Sequence, residues 1–148
     1  MSKNNLTAEI SDINLLLKKL VSSESQINLI IEDLTKCIKS GKKILICGNG
    51  GSAGEANHLA AEFIVRLKPK NNRNAIPMIS LSQNSSVLTA CGNDFGFENI
   101  FSRQLEALAS ETDIVFLIST SGMSPNIINA AKKAITFNEL SRVRVGSF

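Results

Sequence analysis

The sequence predicts an α/β fold: a doubly wound parallel sheet with helices on both faces, preceded by two N-terminal helices. Three observations carry that expectation. Short apolar runs at residues 43–47, 76–81 and 113–118 have the length and continuity of buried parallel strands. Each is followed by a loop and a stretch of helical spacing, and such repetition builds a sheet covered on both faces. Ahead of the first run, the apolar residues recur three and four apart instead.

Taken in order, Ile13, Leu16, Leu17 and Leu20 define one helix face, and Ile27, Ile30, Ile31, Leu34 and Ile38 a second. Residues 22–25 punctuate them, with Ser23 or Ser25 suited to cap the second helix. Gly41 ends it and closes a helical pair at residues 1–41. Both faces are wider than one small sheet needs, so helix-on-helix packing between subunits is expected. Residues 42–135 then form the α/β core. A helix over 53–66 buries Ala56, Leu59, Ala60 and Phe63, and residues 68–74 form a polar loop around Pro69. Helical turns follow at 85–90, a longer helix at 98–109, and a last one at 124–135, where Ser124 is the N-cap before Pro125. Residues 136–148 are atypical: they lack a clear period where a fourth strand is expected, as in a truncated or frameshifted product.

Bulk composition narrows the function classes. With 148 residues, 43% apolar and 20% charged, the chain is expected to form one globular domain. Its net charge of +3 is dispersed, and the one basic cluster, around residues 66–73, holds no aromatic side chain. Nucleic-acid binding is therefore disfavoured. No apolar run approaches the roughly 20 residues of a membrane span. The odd set Cys37, Cys47 and Cys91, with no Cys-x-x-Cys pair and no leader, points to reduced thiols in the cytoplasm.

Four segments can carry chemistry. The first is Gly48-Asn49-Gly50-Gly51-Ser52, where glycines permit close approach and the following helix offers free N–H groups to an anion. Gly48, Gly50 and Ala53 also fit a dinucleotide fingerprint, but the acidic residue that would hold a ribose is absent from the end of the second strand. The second is Ser119-Thr120-Ser121-Gly122-Met123-Ser124, whose four hydroxyls before a helix suit a phosphate without any fixed positive charge. The third is His58 and Glu62, which share one helix face at i and i+4. They suit either a divalent metal or general-base chemistry, although from spacing alone a plain surface pair is the favoured reading. Arg66 continues that face one turn on. The fourth, Gly92-Asn93-Asp94-Phe95-Gly96-Phe97, reads as a turn before a capped helix.

In this order and spacing, the four segments resemble those of the phosphoheptose isomerases, a family of the sugar-isomerase (SIS) fold. The matching text is residues 47–52, the helix carrying His58, Glu62 and Arg66, residues 92–103, and residues 118–122. The resemblance implies an aldose–ketose isomerase converting sedoheptulose 7-phosphate to a mannoheptose 7-phosphate, a lipopolysaccharide precursor. It implies sugar-phosphate contacts from Asn49, Gly50, Gly51, Asn93, Asp94, Ser119, Thr120, Ser121 and Ser124, with Ser52 and Arg66 beside them. It further implies Glu62 as the proton-transferring base, His58 and Glu62 as ligands of a zinc ion, and a homotetramer. The family's glutamine and histidine on a C-terminal helix have no counterpart here, His58 being the single histidine. A non-catalytic SIS module that binds sugar phosphates or a protein partner is the alternative expectation.

Overall fold

The computed structural model describes residues 5–137. The expectation for residues 136–148 falls, from 138 onward, outside the described residues. The chain divides into two compact units, Met1–Lys36 and Cys37–Phe148.

The first unit is helical. Helix α1 (Leu6–Val21) starts at Asn5, whose side chain accepts from the Thr7 amide at 3.1 Å. Helix α2 (Glu24–Lys39) follows after a two-residue break. Ser25 is its second residue and donates to the Gln26 side chain, so it is no cap; the carbonyl of Ser23 instead accepts the amide of Ile27. No residue of α1 is buried, and Ile13, Leu16 and Leu17 are all more than half exposed.

The second unit is built on a three-stranded parallel sheet ordered β2–β1–β3 among the described residues. Strand β1 (Ile44–Gly48) lies in the middle and is buried along its whole length, as its unbroken apolar text requires. On one side Ile44 to Ile46 pair with Met78 to Ser80 of β2 (Met78–Ser80). On the other, Ile44 to Gly48 pair with Ile114 to Ile118 of β3 (Ile114–Ile118). Strand β2 is shorter than its apolar run, but hydrogen bonds from Ile44 to the Pro77 carbonyl and from Leu81 to the Ile46 carbonyl extend the pairing.

Helices cover both faces of this sheet. Helix α3 (Gly51–Ile64) packs on one face, burying Ala56 and Ala60. On the other lie α4 (Ser85–Phe95), α5 (Ser102–Leu108) and α6 (Pro125–Phe137). There Leu45 and Cys47 of β1 meet Leu81, Ile100, Phe101, Leu105, Ile127 and Ala130 in one apolar cluster. Burial pushes the Cys47 thiol up to about 12, which leaves it an inert core residue. Among the described residues, no helix is long and apolar enough to cross a membrane.

Helix α4 runs through residues expected to form a turn. Gly92, Asn93 and Asp94 occupy its last turns, and the helix stops only at Gly96. The expected single helix at 98–109 is a short 3-10 turn, Phe97–Asn99, followed by the seven-residue α5.

One buried charge ties the base of the sheet together. Asp113, 3% exposed, receives the Lys43 ammonium at 2.5 Å and the amides of Lys43 and Ser110 at 3.0 and 2.8 Å. Burial works to raise its pKa, but the Lys43 side chain and the two amides outweigh it, and the net shift is downward. A carboxyl lowered in the fold stabilises it above the unfolded value of about 3.9 and loses that contribution as pH falls through the folded pKa. Asp113→Ala is expected to cost about 3 kcal/mol in urea denaturation at neutral pH, because it strands the Lys43 charge. The gap from the parent chain should narrow as the pH is taken below about 4.

Candidate anion-binding crevice

The site follows from where the chain goes after β1 and after β3. These strands are neighbours, yet the chain leaves β1 for α3 on one face and β3 for α6 on the other. Two exits that diverge from adjacent parallel strands leave a crevice at their carboxyl ends, where ligands bind in sheets of this kind. Both polar loops singled out in the sequence line it.

The first loop is built on two glycines. At Gly48 an added Cβ would meet the backbone and Cβ of Ser52 at 2.7 Å, so only glycine lets the first turn of α3 lie against the strand end. Gly50 has φ +53°, which favours glycine, and it turns the chain into α3. Helix starts leave their first amides without intrahelical acceptors; here Ala53 donates to the Asn49 and Gly50 carbonyls, which leaves the amides of Gly51 and Ser52 for a ligand. Ser82, just past β2, holds Gly48 from the side: its hydroxyl accepts the Gly48 amide at 3.2 Å and donates to the Gly48 carbonyl at 3.0 Å. The place where a nucleotide fold carries a ribose-binding carboxylate is thus taken by a serine bonded to the loop.

The second loop spends its hydroxyl oxygens on itself. Ser119 accepts the Gly122 amide at 3.0 Å and Ser121 accepts the Met123 amide at 3.2 Å. Each hydroxyl keeps its proton to donate outward. Ser124 sits at the N-cap position, its carbonyl accepting from Ile127 and Ile128. The two loops are joined by Asn49 and Asn126, whose side-chain amides bond to each other twice. Asn126 went unrecognised in the sequence, where Ser-Pro-Asn reads as a plain helix start.

The other expected site residues are distributed differently. His58 and Glu62 face each other on α3 at 3.7 Å, with side chains 65% and 25% exposed. Glu62 lies eleven residues beyond Gly51 on α3, a backbone rise of about 16 Å at 1.5 Å per residue, with its side chain tilted back toward the helix start. Asn93 and Asp94 are exposed and bonded to one another at 2.7 Å, and no hydrogen bond among the described residues links them to either loop.

Arg66 requires a correction. Helix α3 ends at Ile64, and Val65, with ψ −87°, turns the chain away, so Arg66 does not continue the Glu62 face. The arginine that engages Glu62 is Arg73, which donates to the carbonyls of Glu62 and Phe63 at 2.6 and 2.8 Å. It satisfies the last carbonyls of the helix, where a positive charge is favoured.

A catalytic zinc takes three protein ligands. His58 and Glu62 are donors of suitable chemistry, but among the described residues no third His, Cys, Asp or Glu stands with them.

Comparison with known proteins places this geometry. The family model described as SIS domain matches residues 10–138. Phosphoheptose isomerase 1 of Campylobacter jejuni is 52% identical over 117 residues, which cover 79% of this chain and 62% of that protein. Phosphoheptose isomerase of Campylobacter concisus is 46% identical over 134 residues, covering 90% and 68%. The phosphoheptose isomerase structure from Francisella tularensis aligns with a TM-score of 0.71 at 30% identity, covering 87% of this chain and 71% of that one. That from Neisseria gonorrhoeae aligns with 0.64 at 32% identity, covering 90% and 71%. The chain spans 55–62% of the length of the first curated relatives it matches.

The two glycines at the start of α3 have separable roles. Gly48→Ala should cost about 1–3 kcal/mol in urea denaturation, because backbone and not a flexible side chain blocks the methyl group. Gly51→Ala meets open space and should leave stability unchanged or slightly raised.

Proposed function

The chain belongs to the SIS-domain family and, within it, to the phosphoheptose isomerases, and from that premise we propose that its crevice holds a heptose 7-phosphate which Glu62 isomerises. The observation that supports this reading is the pair of loops at the diverging ends of β1 and β3. They offer helix-start amides on one side and outward hydroxyl protons from Ser119, Thr120, Ser121 and Ser124 on the other. Asn49, Gly50, Gly51 and Ser52 complete the phosphate cradle. Asn93 and Asp94 are assigned to the sugar hydroxyls by the family pattern alone.

Interconversion of sedoheptulose 7-phosphate and D-glycero-D-manno-heptose 7-phosphate moves one proton between adjacent carbons. A carboxylate removes it from the carbon beside the carbonyl to leave an enediolate, the carboxyl returns a proton to the neighbouring carbon, and one hydroxyl proton passes between the two adjacent oxygens. Glu62 takes that role, with the His58 imidazole beside it at 3.7 Å and Arg73 fixing the helix end that carries it. His58 and Glu62 are also the two donors the chain offers a zinc ion, which when bound would polarise the substrate's carbonyl oxygen.

The family pattern adds a homotetramer, and the unburied apolar face of α1 supplies surface for such an assembly. A second reading, a sugar-phosphate-binding module without turnover, is favoured by one observation. Beside Glu62 the described residues place His58 and no further acid–base side chain.

A coupled assay on sedoheptulose 7-phosphate separates the two. The full chain should turn the sugar over, and Glu62→Gln should lower kcat by about a hundredfold or more with KM little changed. Turnover that survives the substitution would remove Glu62 from the chemistry. Calorimetric binding without any turnover would instead support the module.

A further inference from the structure

The bond between the two loops is reciprocal. Nδ2 of Asn49 donates to Oδ1 of Asn126 at 2.9 Å, and Nδ2 of Asn126 donates to Oδ1 of Asn49 at 2.8 Å. Two parallel hydrogen bonds between planar amides fix both separation and orientation, as a bidentate pair does elsewhere. Oδ1 of Asn126 also accepts the Ile127 amide at 2.9 Å, which holds the side chain against the start of α6. Asn126 is 2% exposed, so its polar atoms have no water to turn to when the pair opens. The residues are 77 apart in sequence, on the exits of the two strands that leave for opposite faces.

We infer that Asn126 is a positioning residue: it sets the gap between the glycine-rich and serine-rich loops, and so the span of the anion site. The pair also commits the carbonyl oxygen and one N–H of Asn49, which leaves that residue to meet a ligand through its backbone and its one remaining side-chain proton. This inference rests on the sugar-phosphate reading of the crevice but assigns a residue that touches neither sugar nor phosphate.

The test uses Asn126→Ala, Asn126→Asp and the parent chain, with sedoheptulose 7-phosphate and inorganic phosphate as calorimetric probes. Asn126→Ala should bind both about tenfold more weakly, the loss of two buried hydrogen bonds. Asn126→Asp keeps the shape. Its carboxylate cannot donate to Asn49, whereas a protonated carboxyl donates and accepts as the amide does. Burial at this position raises a carboxyl's pKa. The Asn126→Asp deficit relative to the parent should therefore shrink as the pH falls through the range where that carboxyl takes up its proton, while that of Asn126→Ala persists. Referring each value to the parent at the same pH removes the titration of the phosphate itself. The same rescue should appear in ligand-free amide exchange at residues 48–53, where repulsion between a carboxylate and a bound phosphate plays no part. Amide hydrogen exchange gives a reading without ligand: residues 48–53 should exchange faster in Asn126→Ala, although they lie 77 positions away. Affinity and exchange both equal to the parent in a folded Asn126→Ala would overturn the inference. So would an Asn126→Asp deficit that does not change with pH, should the alanine variant fail to fold. A parent chain that binds neither probe would defeat the phosphate reading instead, and exchange at residues 48–53 would still decide the role of Asn126.

Discussion

The contact between Gly48 and the first turn of α3 governs the rest of the site. Strand β1 is the middle of the sheet and wholly buried, so the way the chain leaves it decides what faces the ends of the strands. Because Gly48 has no side chain, Ser52 can lie where a Cβ would be, and α3 begins at the strand end itself. That proximity sets the helix start, with the amides of Gly51 and Ser52, at the end of the central strand. The Ser82 hydroxyl, just past β2, grips the same glycine, so the exit is held by both the helix and the neighbouring loop. A larger residue at position 48 would push the helix outward and widen the cradle before any ligand arrived.

Opposite this exit, the loop after β3 reaches the crevice by different means. Its serines accept backbone amides within the loop and present their protons outward. On the proposed reading this is an anion site made of amides and hydroxyls, with no fixed positive charge from either loop. Such a site depends on geometry more than on long-range attraction, which is why a rigid connection between the loops matters. The loops lie at the start of α3, and the carboxylate proposed as the base lies near its end. The exposed apolar residues of α1 are available to the proposed assembly.

Much of this was legible in the sequence, for physical reasons that particular residues make plain. Continuous apolar runs gave β1 and β3 because buried parallel strands need no alternation, and Ser124-Pro125 marked the start of α6 because proline fits a first helical turn. The glycine-rich and serine-rich loops were visible as local chemistry. What escaped depends on contacts distant in sequence. Helix α3 was expected to run on to Arg66, but Arg73, from a loop beyond, satisfies its last carbonyls and lets it stop at Ile64. Residues 92–94 were read as a turn because Gly, Asn and Asp favour turns. Buried Cys91 and the 3-10 turn after Gly96 anchor that stretch as helix, with its polar side chains exposed. Asn126 carried no local signal, since its partner lies on another strand exit.

The central claim is that the two loops form one site for a phosphate group. The most direct measurement is a titration of the isotope-labelled chain with inorganic phosphate and then sedoheptulose 7-phosphate, followed by amide chemical shifts. The account predicts that residues 50–53 and 119–124 shift together with a single apparent affinity, tighter for the sugar phosphate. Shifts confined to one loop, or centred instead on the surface groove between Glu106 and Lys133, would contradict it.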